Sequence, residues 1–121
     1  MKLLWISLFG VAGTLARYGA SSWLQKPDGF PYGTIVVNTI GCLLIGIVGA
    51  LVEKGRISAD ARTIIAVGFL GALTTFSSFA WEALTLQRDR SFGLAIVYVG
   101  AQLILGLGLV AAGWAVTRAL A

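Results

Sequence analysis

The chain has 121 residues, 58% hydrophobic and 12% charged, with no histidine and a net charge of +4. A mean hydropathy of +0.90 and an apolar share far above the roughly 45–50% of soluble domains mark a membrane protein. One crossing takes about 20 apolar residues, so the length accommodates four crossings and leaves nothing for a soluble domain: a single four-span membrane domain, 1–121, is expected.

The opening MKLLWISLFGVAG begins like a signal peptide. Its apolar run continues through Ala12, Leu15 and Ala16 to Trp23 and Leu24, too long for a signal core, so a retained span is read over 3–24. The turn QKPDGFPYG follows, with Pro27, Asp28, Gly29 and Pro31 as helix breakers. Span two is expected over 33–52, then the link EKGRISAD, span three over 62–86, the link QRDRS, and span four over 92–117. Connections this short make consecutive helices neighbours.

Four crossings place both termini on one side, together with Lys2, Lys54, Arg56, Arg62 and Arg118; Lys26, Arg88 and Arg90 fall on the other. Orientation follows Lys and Arg near span ends, and a bias this slight fits a chain that inserts both ways. Glycines such as Gly10, Gly13, Gly41, Gly46, Gly49, Gly68, Gly71, Gly100, Gly106, Gly108 and Gly113 run through all four spans. Small residues let helices in lipid approach closely. They predict tight packing with little room for a pore inside one chain, so a conduit is expected between copies. Cys42, the one cysteine, reads as a small buried hydrophobe.

Polar groups at membrane depth carry the chemistry. They are Arg17, Asn38, the cluster Thr74 to Phe79, Tyr98 and Gln102, and position along the spans puts all of them in the half nearer the loops after spans one and three. An inverted second copy would supply the other half of a conduit, which predicts an antiparallel homodimer. Arg17 either snorkels along the about 10 Å of helix to Leu24 or faces an anion or a water-filled vestibule. Asn38 is either interhelical glue or a donor into the groove made by Gly33, Thr34 and Gly41 on its helix face.

In GALTTFSSFAW, residues 71–81, hydroxyls bonding back to their own helix and lipid-loving Phe would explain one or two positions. Hydroxyl and carboxamide donors with the positive edges of aromatic rings form an uncharged track that a small, strongly hydrated anion could follow without being trapped. The acids Asp28, Glu53, Asp60, Glu82 and Asp89 are all read as lying in loops or at span ends, Glu82 nearest the interior. That reading disfavours a proton-coupled drug exporter, which would need an intramembrane carboxylate. A non-transporting assembly subunit would leave the Phe/Ser/Thr cluster without a purpose. An enzyme is not expected from a chain without His or paired carboxylates, and no nucleic-acid partner is expected.

The segments GTLARYG (13–19), YGTIVVNTIGCLLIG (32–46) and GFLGALTTFSSF (68–79) resemble the signature of the Fluc (CrcB) fluoride channel family. The resemblance implies an all-α membrane fold with the third helix broken, assembled as an antiparallel, dual-topology dimer with two pores. It implies passive, selective fluoride export across the bacterial cytoplasmic membrane. By resemblance, Phe76 and Phe79 line the pore, Asn38 donates to the ion, Thr75, Ser78 and Tyr98 belong to the polar track, and Arg17 stands at the vestibule. Carbonyls of Gly71 and Thr74 from both copies would hold a structural Na⁺ at the dimer centre. The sequence departs from the family where small hydroxyl residues match Gln102 and Gly106. Gln102 donates through its amide and Gly106 has no side chain, which leaves pairing with a non-identical subunit open.

Overall fold

Long apolar stretches without internal Pro form helices, and four of them cross-pack here. The computed structural model describes residues 1–25 and 29–121; Lys26, Pro27 and Asp28 of the expected turn, and the sidedness assigned to Lys26, lie outside the described residues. Helix α1 covers Lys2–Leu24 and α2 covers Tyr32–Glu53, entered through Pro31 at its N-cap. The third crossing comes in pieces: α3 Ala59–Thr63, a π-helical stretch Ile64–Leu70, α4 Gly71–Leu73, two extended residues, then α5 Phe76–Asp89. Helix α6 covers Phe92–Leu120. All four crossings are long and apolar enough to span a bilayer.

Hydroxyl residues set three of the helix starts. The side chains of Ser58, Thr75 and Ser91 accept the backbone N–H of Ala61, Ser78 and Leu94, respectively, satisfying donors that a helix start leaves without a partner. The helices run slightly past the expected spans, into the polar turns beyond the apolar runs. At one end Lys2 pairs with Asp60 at 2.7 Å, Arg56 donates to the Ala121 carbonyl at 2.9 Å and Trp114 Nε1 donates to Glu53 at 3.0 Å. Exposed contacts of this kind add little stability. They do place both termini beside the α2–α3 link, as an even number of crossings requires.

Helix α2 lies along α6, while α1 packs on the π-helical stretch and α4. Close approach depends on glycine at two points that shape the site. A Cβ on Gly13 would overlap the Phe69 carbonyl, and one on Gly41 would overlap the Thr74 methyl at the break. Gly49, Gly100 and Gly108 instead meet nothing within 4 Å, so the expectation of tight packing holds for only some of the glycines within one chain. Gly41→Val is expected to destabilise the fold by about 1–3 kcal/mol, the usual penalty of overpacking. A clear fall in the thermal unfolding temperature in detergent is the expected reading, and an unchanged temperature would mean that Thr74 moves aside freely.

Candidate functional site

The site is built around the break in the third crossing. Thr74 (φ −85°, ψ 158°) and Thr75 (φ −149°, ψ 118°) are extended. Backbone that leaves a helix at membrane depth must find partners within the protein, and Asn38 of α2 supplies them. Its Oδ1 accepts the Thr75 N–H at 2.8 Å while its Nδ2 donates to the Thr75 carbonyl at 3.1 Å. The carboxamide thus pairs with the N–H and C=O of one residue as a neighbouring strand would.

Thr75 then opens α5. Its Oγ1 accepts the Ser78 N–H at 3.2 Å and donates to Ser78 Oγ at 3.1 Å. Thr74 Oγ1 bonds back to the Leu70 carbonyl at 2.9 Å, so the local reading of a hydroxyl serving its own helix describes Thr74. Carbonyls at the break lose their helical donors in the process, those of Gly71 and Thr74 among them. The Thr75 N–H that an unbroken helix would direct at Gly71 goes to Asn38, and the Ser78 N–H that would reach Thr74 goes to Thr75 Oγ1.

Glu82, expected as the acid nearest the interior, lies in the last third of the crossing Ala59–Asp89. Glu82 lies in the middle of α5, half-buried, with three donors converging on its carboxylate. Thr34 Oγ1 donates at 2.8 Å, Gln25 Nε2 at 3.1 Å, and the Tyr98 hydroxyl makes a short hydrogen bond to Oε2. Removing a carboxylate from water is costly unless hydrogen bonds replace its hydration, and this cluster does so. Tyr98, fully buried, accepts from Gln102 Nε2 at 3.2 Å, and Gln102 Oε1 accepts from Asn38 Nδ2 at 3.3 Å. One continuous line of hydrogen bonds therefore joins the end of α1 to the break.

Two clefts meet at Thr75. A polar one of about 340 Å³ is lined by Arg17, Ser21, Thr34, Ser78 and Glu82 among others. A mainly apolar one of about 380 Å³ is lined by Asn38, Cys42, Phe76, Phe79 and Gln102 among others, and Thr75 borders both. Arg17 and Glu82 put opposite fixed charges in the polar cleft, and Arg17 has no hydrogen-bond partner among the described residues. Cys42 is a free, half-buried thiol, and its Sγ lies 3.3 Å from where a Cβ on Gly106 would stand.

An aromatic run crosses the same region. Ring centroids are 5.4 Å apart for Phe76 and Phe79, 5.5 Å for Phe79 and Tyr98, 5.6 Å for Tyr98 and Phe30, and 5.2 Å for Phe30 and Tyr32. Tyr98 and Phe30 meet edge to face, a favoured arrangement of ring quadrupoles. Phe76, at the outer end of the run, is 79% exposed in the single chain.

Of the expected site residues, Asn38, Thr75, Ser78 and Tyr98 join one hydrogen-bonded line, Phe76 and Phe79 stack beside it, and Arg17 lines the polar cleft. Glu82, Gln25 and Phe30 are additions to the expected site, and Thr34, expected only in the groove beside Asn38, donates to Glu82. A signal for Glu82 exists in the sequence: Thr75, Ser78 and Glu82 are spaced i, i+3, i+7, which aligns them on one helix face.

The family model described as CrcB-like protein, Camphor Resistance (CrcB), matches residues 4–114. The chain is similar to the fluoride-specific ion channel FluC of Nitrosococcus oceani, 44% identical over 120 residues, covering 97% of this chain and 96% of that protein. It is also similar to FluC of Thermus thermophilus, 40% identical over 121 residues and covering 98% and 95% of the two chains, and to FluC of Nitratidesulfovibrio vulgaris, 43% identical over 112 residues and covering 89% and 90%. With four apolar crossings, a third one broken at Thr74 and Thr75, and kinship along nearly its whole length, this membrane protein belongs to the CrcB family.

Proposed function

We propose that the chain is a passive, fluoride-selective channel of the bacterial cytoplasmic membrane. The observation that carries this reading is the junction at Thr75, where a polar cleft meets an aromatic one across uncharged donors, in a relative of fluoride-specific channels. Fluoride is small and strongly hydrated, and it leaves water only where donors replace its shell. The Ser78 hydroxyl, held by Thr75, the Asn38 amide and the edges of Phe76 and Phe79 offer partial positive charge without a fixed cation. Contacts of that strength release the ion as well as bind it. Arg17, which shares the polar cleft with Glu82, would offer an entering anion a positive charge at the vestibule.

The working unit of this reading is an antiparallel, dual-topology homodimer of single four-span domains, with two pores. It is supported by the confinement of the polar line to one half of the crossings and by a ring at mid-crossing, Phe76, left 79% exposed by its own chain. The carbonyls of Gly71 and Thr74, whose helical donors are diverted, fit a structural Na⁺ shared between copies. Such an ion supplies a positive charge that satisfies carbonyls removed from helix and water alike.

No energy source beyond the membrane potential is required. An inside-negative potential is worth about 2.3 kcal/mol per charge per 100 mV, and since about 1.4 kcal/mol is tenfold, the drive corresponds to between one and two powers of ten in ion activity. Fluoride entering as neutral HF from an acidic exterior dissociates in the cytoplasm, and an outward anion leak lowers its level. Expression in a bacterium deleted for its own fluoride export is expected to restore growth in fluoride-containing medium. Unchanged sensitivity with the protein present in the membrane would count against export.

A further inference from the structure

Gln102 is neither a hydroxyl nor a ring, yet its carboxamide closes the line between Glu82 and Asn38. The chemistry of the line fixes which way that amide faces. A carboxylate only accepts, so Tyr98 turns its single hydrogen toward Glu82. The Tyr98 oxygen then has only lone pairs to offer, and Gln102 must meet it with Nε2, 3.2 Å away. Oε1 is thereby directed at Asn38. From the other side, the Thr75 peptide fixes Asn38 by taking Oδ1 with its N–H and one Nδ2 hydrogen with its carbonyl. The second Nδ2 hydrogen faces Gln102 Oε1 at 3.3 Å. Both ends impose the same orientation, and its consequence is that the last donor of Asn38 is covered by a carbonyl oxygen. An anion cannot take that donor without displacing Gln102.

We propose that Gln102 is a positioning residue for the ion path: a latch, held by Glu82 through Tyr98, that covers the Asn38 donor until an anion displaces it. This rests on the fluoride reading and states how that site opens. The ion takes the Nδ2 hydrogen at the cost of its bond to Oε1. Tyr98, whose hydrogen stays with Glu82, continues to accept from Nε2, so the displaced amide keeps its orientation and the latch recloses as the ion leaves. Its two hydrogen bonds, at 3.2 and 3.3 Å, are at the long end of the usual range. The latch therefore weakens ion binding rather than barring the path.

The test is fluoride efflux from liposomes over a series of internal fluoride concentrations, giving a half-saturating concentration and a maximal flux for each protein. Gln102→Met keeps the side-chain length without the carbonyl. It is expected to lower the half-saturating fluoride by about fivefold, the fold-change that one neutral hydrogen bond of typical net strength is worth, and to slow maximal flux through slower release. Glu82→Gln, which allows the line to reverse, is expected to lower half-saturation in the wild-type background and to have no further effect in the Gln102→Met background. Gln102→Ser, too short to reach Asn38, gives the same fall and serves if Gln102→Met does not fold. Reduced maximal flux at unchanged half-saturation in both Gln102 variants would make the residue a packing group and overturn the latch. Multiplying effects in the double variant would mean that Glu82 acts on the ion by charge and not through Gln102. Wild-type protein that is well incorporated yet releases no fluoride would sink the fluoride reading itself, and the latch with it.

Discussion

Asn38→Asp is expected to abolish fluoride passage, lowering efflux from liposomes by at least about a hundredfold. The variant keeps an acceptor for the Thr75 N–H but loses both Nδ2 donors, which serve the Thr75 carbonyl and Gln102 Oε1. In place of those bonds a carboxylate oxygen faces two other oxygens. A buried polar group left without its partner costs about 1–3 kcal/mol, and an acid at the centre of a membrane helix about 2.5–3.5 kcal/mol. At about 1.4 kcal/mol per tenfold, either contribution is large on the scale of flux, and the fixed negative charge repels the permeant anion besides. The clamp on the break is weakened too, so a lower unfolding temperature should accompany the loss. Unimpaired flux would remove Asn38 from the path and leave it only the structural task of pairing with Thr75.

Phe76→Ile is expected to reduce efflux by about tenfold while the protein elutes from size exclusion as the wild type does. Isoleucine fills similar space but has no ring edge, and aromatic interactions of this kind are worth about 0.5–1.5 kcal/mol. Phe76 suits the test because its ring touches Phe79 but is otherwise largely exposed in the chain, so truncation leaves the core intact. Phe79 is a poorer choice: it also packs against Tyr98, and its replacement would disturb the Glu82 line. Wild-type flux in Phe76→Ile would mean that the rings pack and do not meet the ion.

The four crossings were legible because apolar length alone decides what a bilayer accommodates. The Thr74 to Phe79 cluster was legible because hydroxyls are out of place at that depth, although which hydroxyl does what was not. Thr74 bonds its own helix, while Thr75 caps the next one and faces Asn38. Asn38 was read as glue or as an ion ligand; its amide joins α2 to the backbone of Thr75, the residue that borders both clefts.

Glu82 escaped for a physical reason. Helix α5 is amphipathic and continues to Asp89, so Glu82 lies further from the helix end than a hydropathy boundary near Leu86 suggests. Its partners Tyr98, Thr34 and Gln25 lie 16, 48 and 57 positions away, and no local pattern in one sequence announces contacts at that range. Carboxylate-coupled transport is disfavoured by kinship with fluoride-specific channels and by a carboxylate already engaged by three donors. Phe30, in the segment before α2, escaped in the same way, since only the fold brings it to Tyr98.

The most direct test of the account is efflux from liposomes carrying the purified wild-type protein, loaded with fluoride or with chloride, with valinomycin balancing charge and an ion-selective electrode outside. Rapid fluoride release with negligible chloride release is the expected result. Release of neither ion, from vesicles shown to contain folded protein, would contradict a self-sufficient channel and point to a chain that needs a non-identical partner.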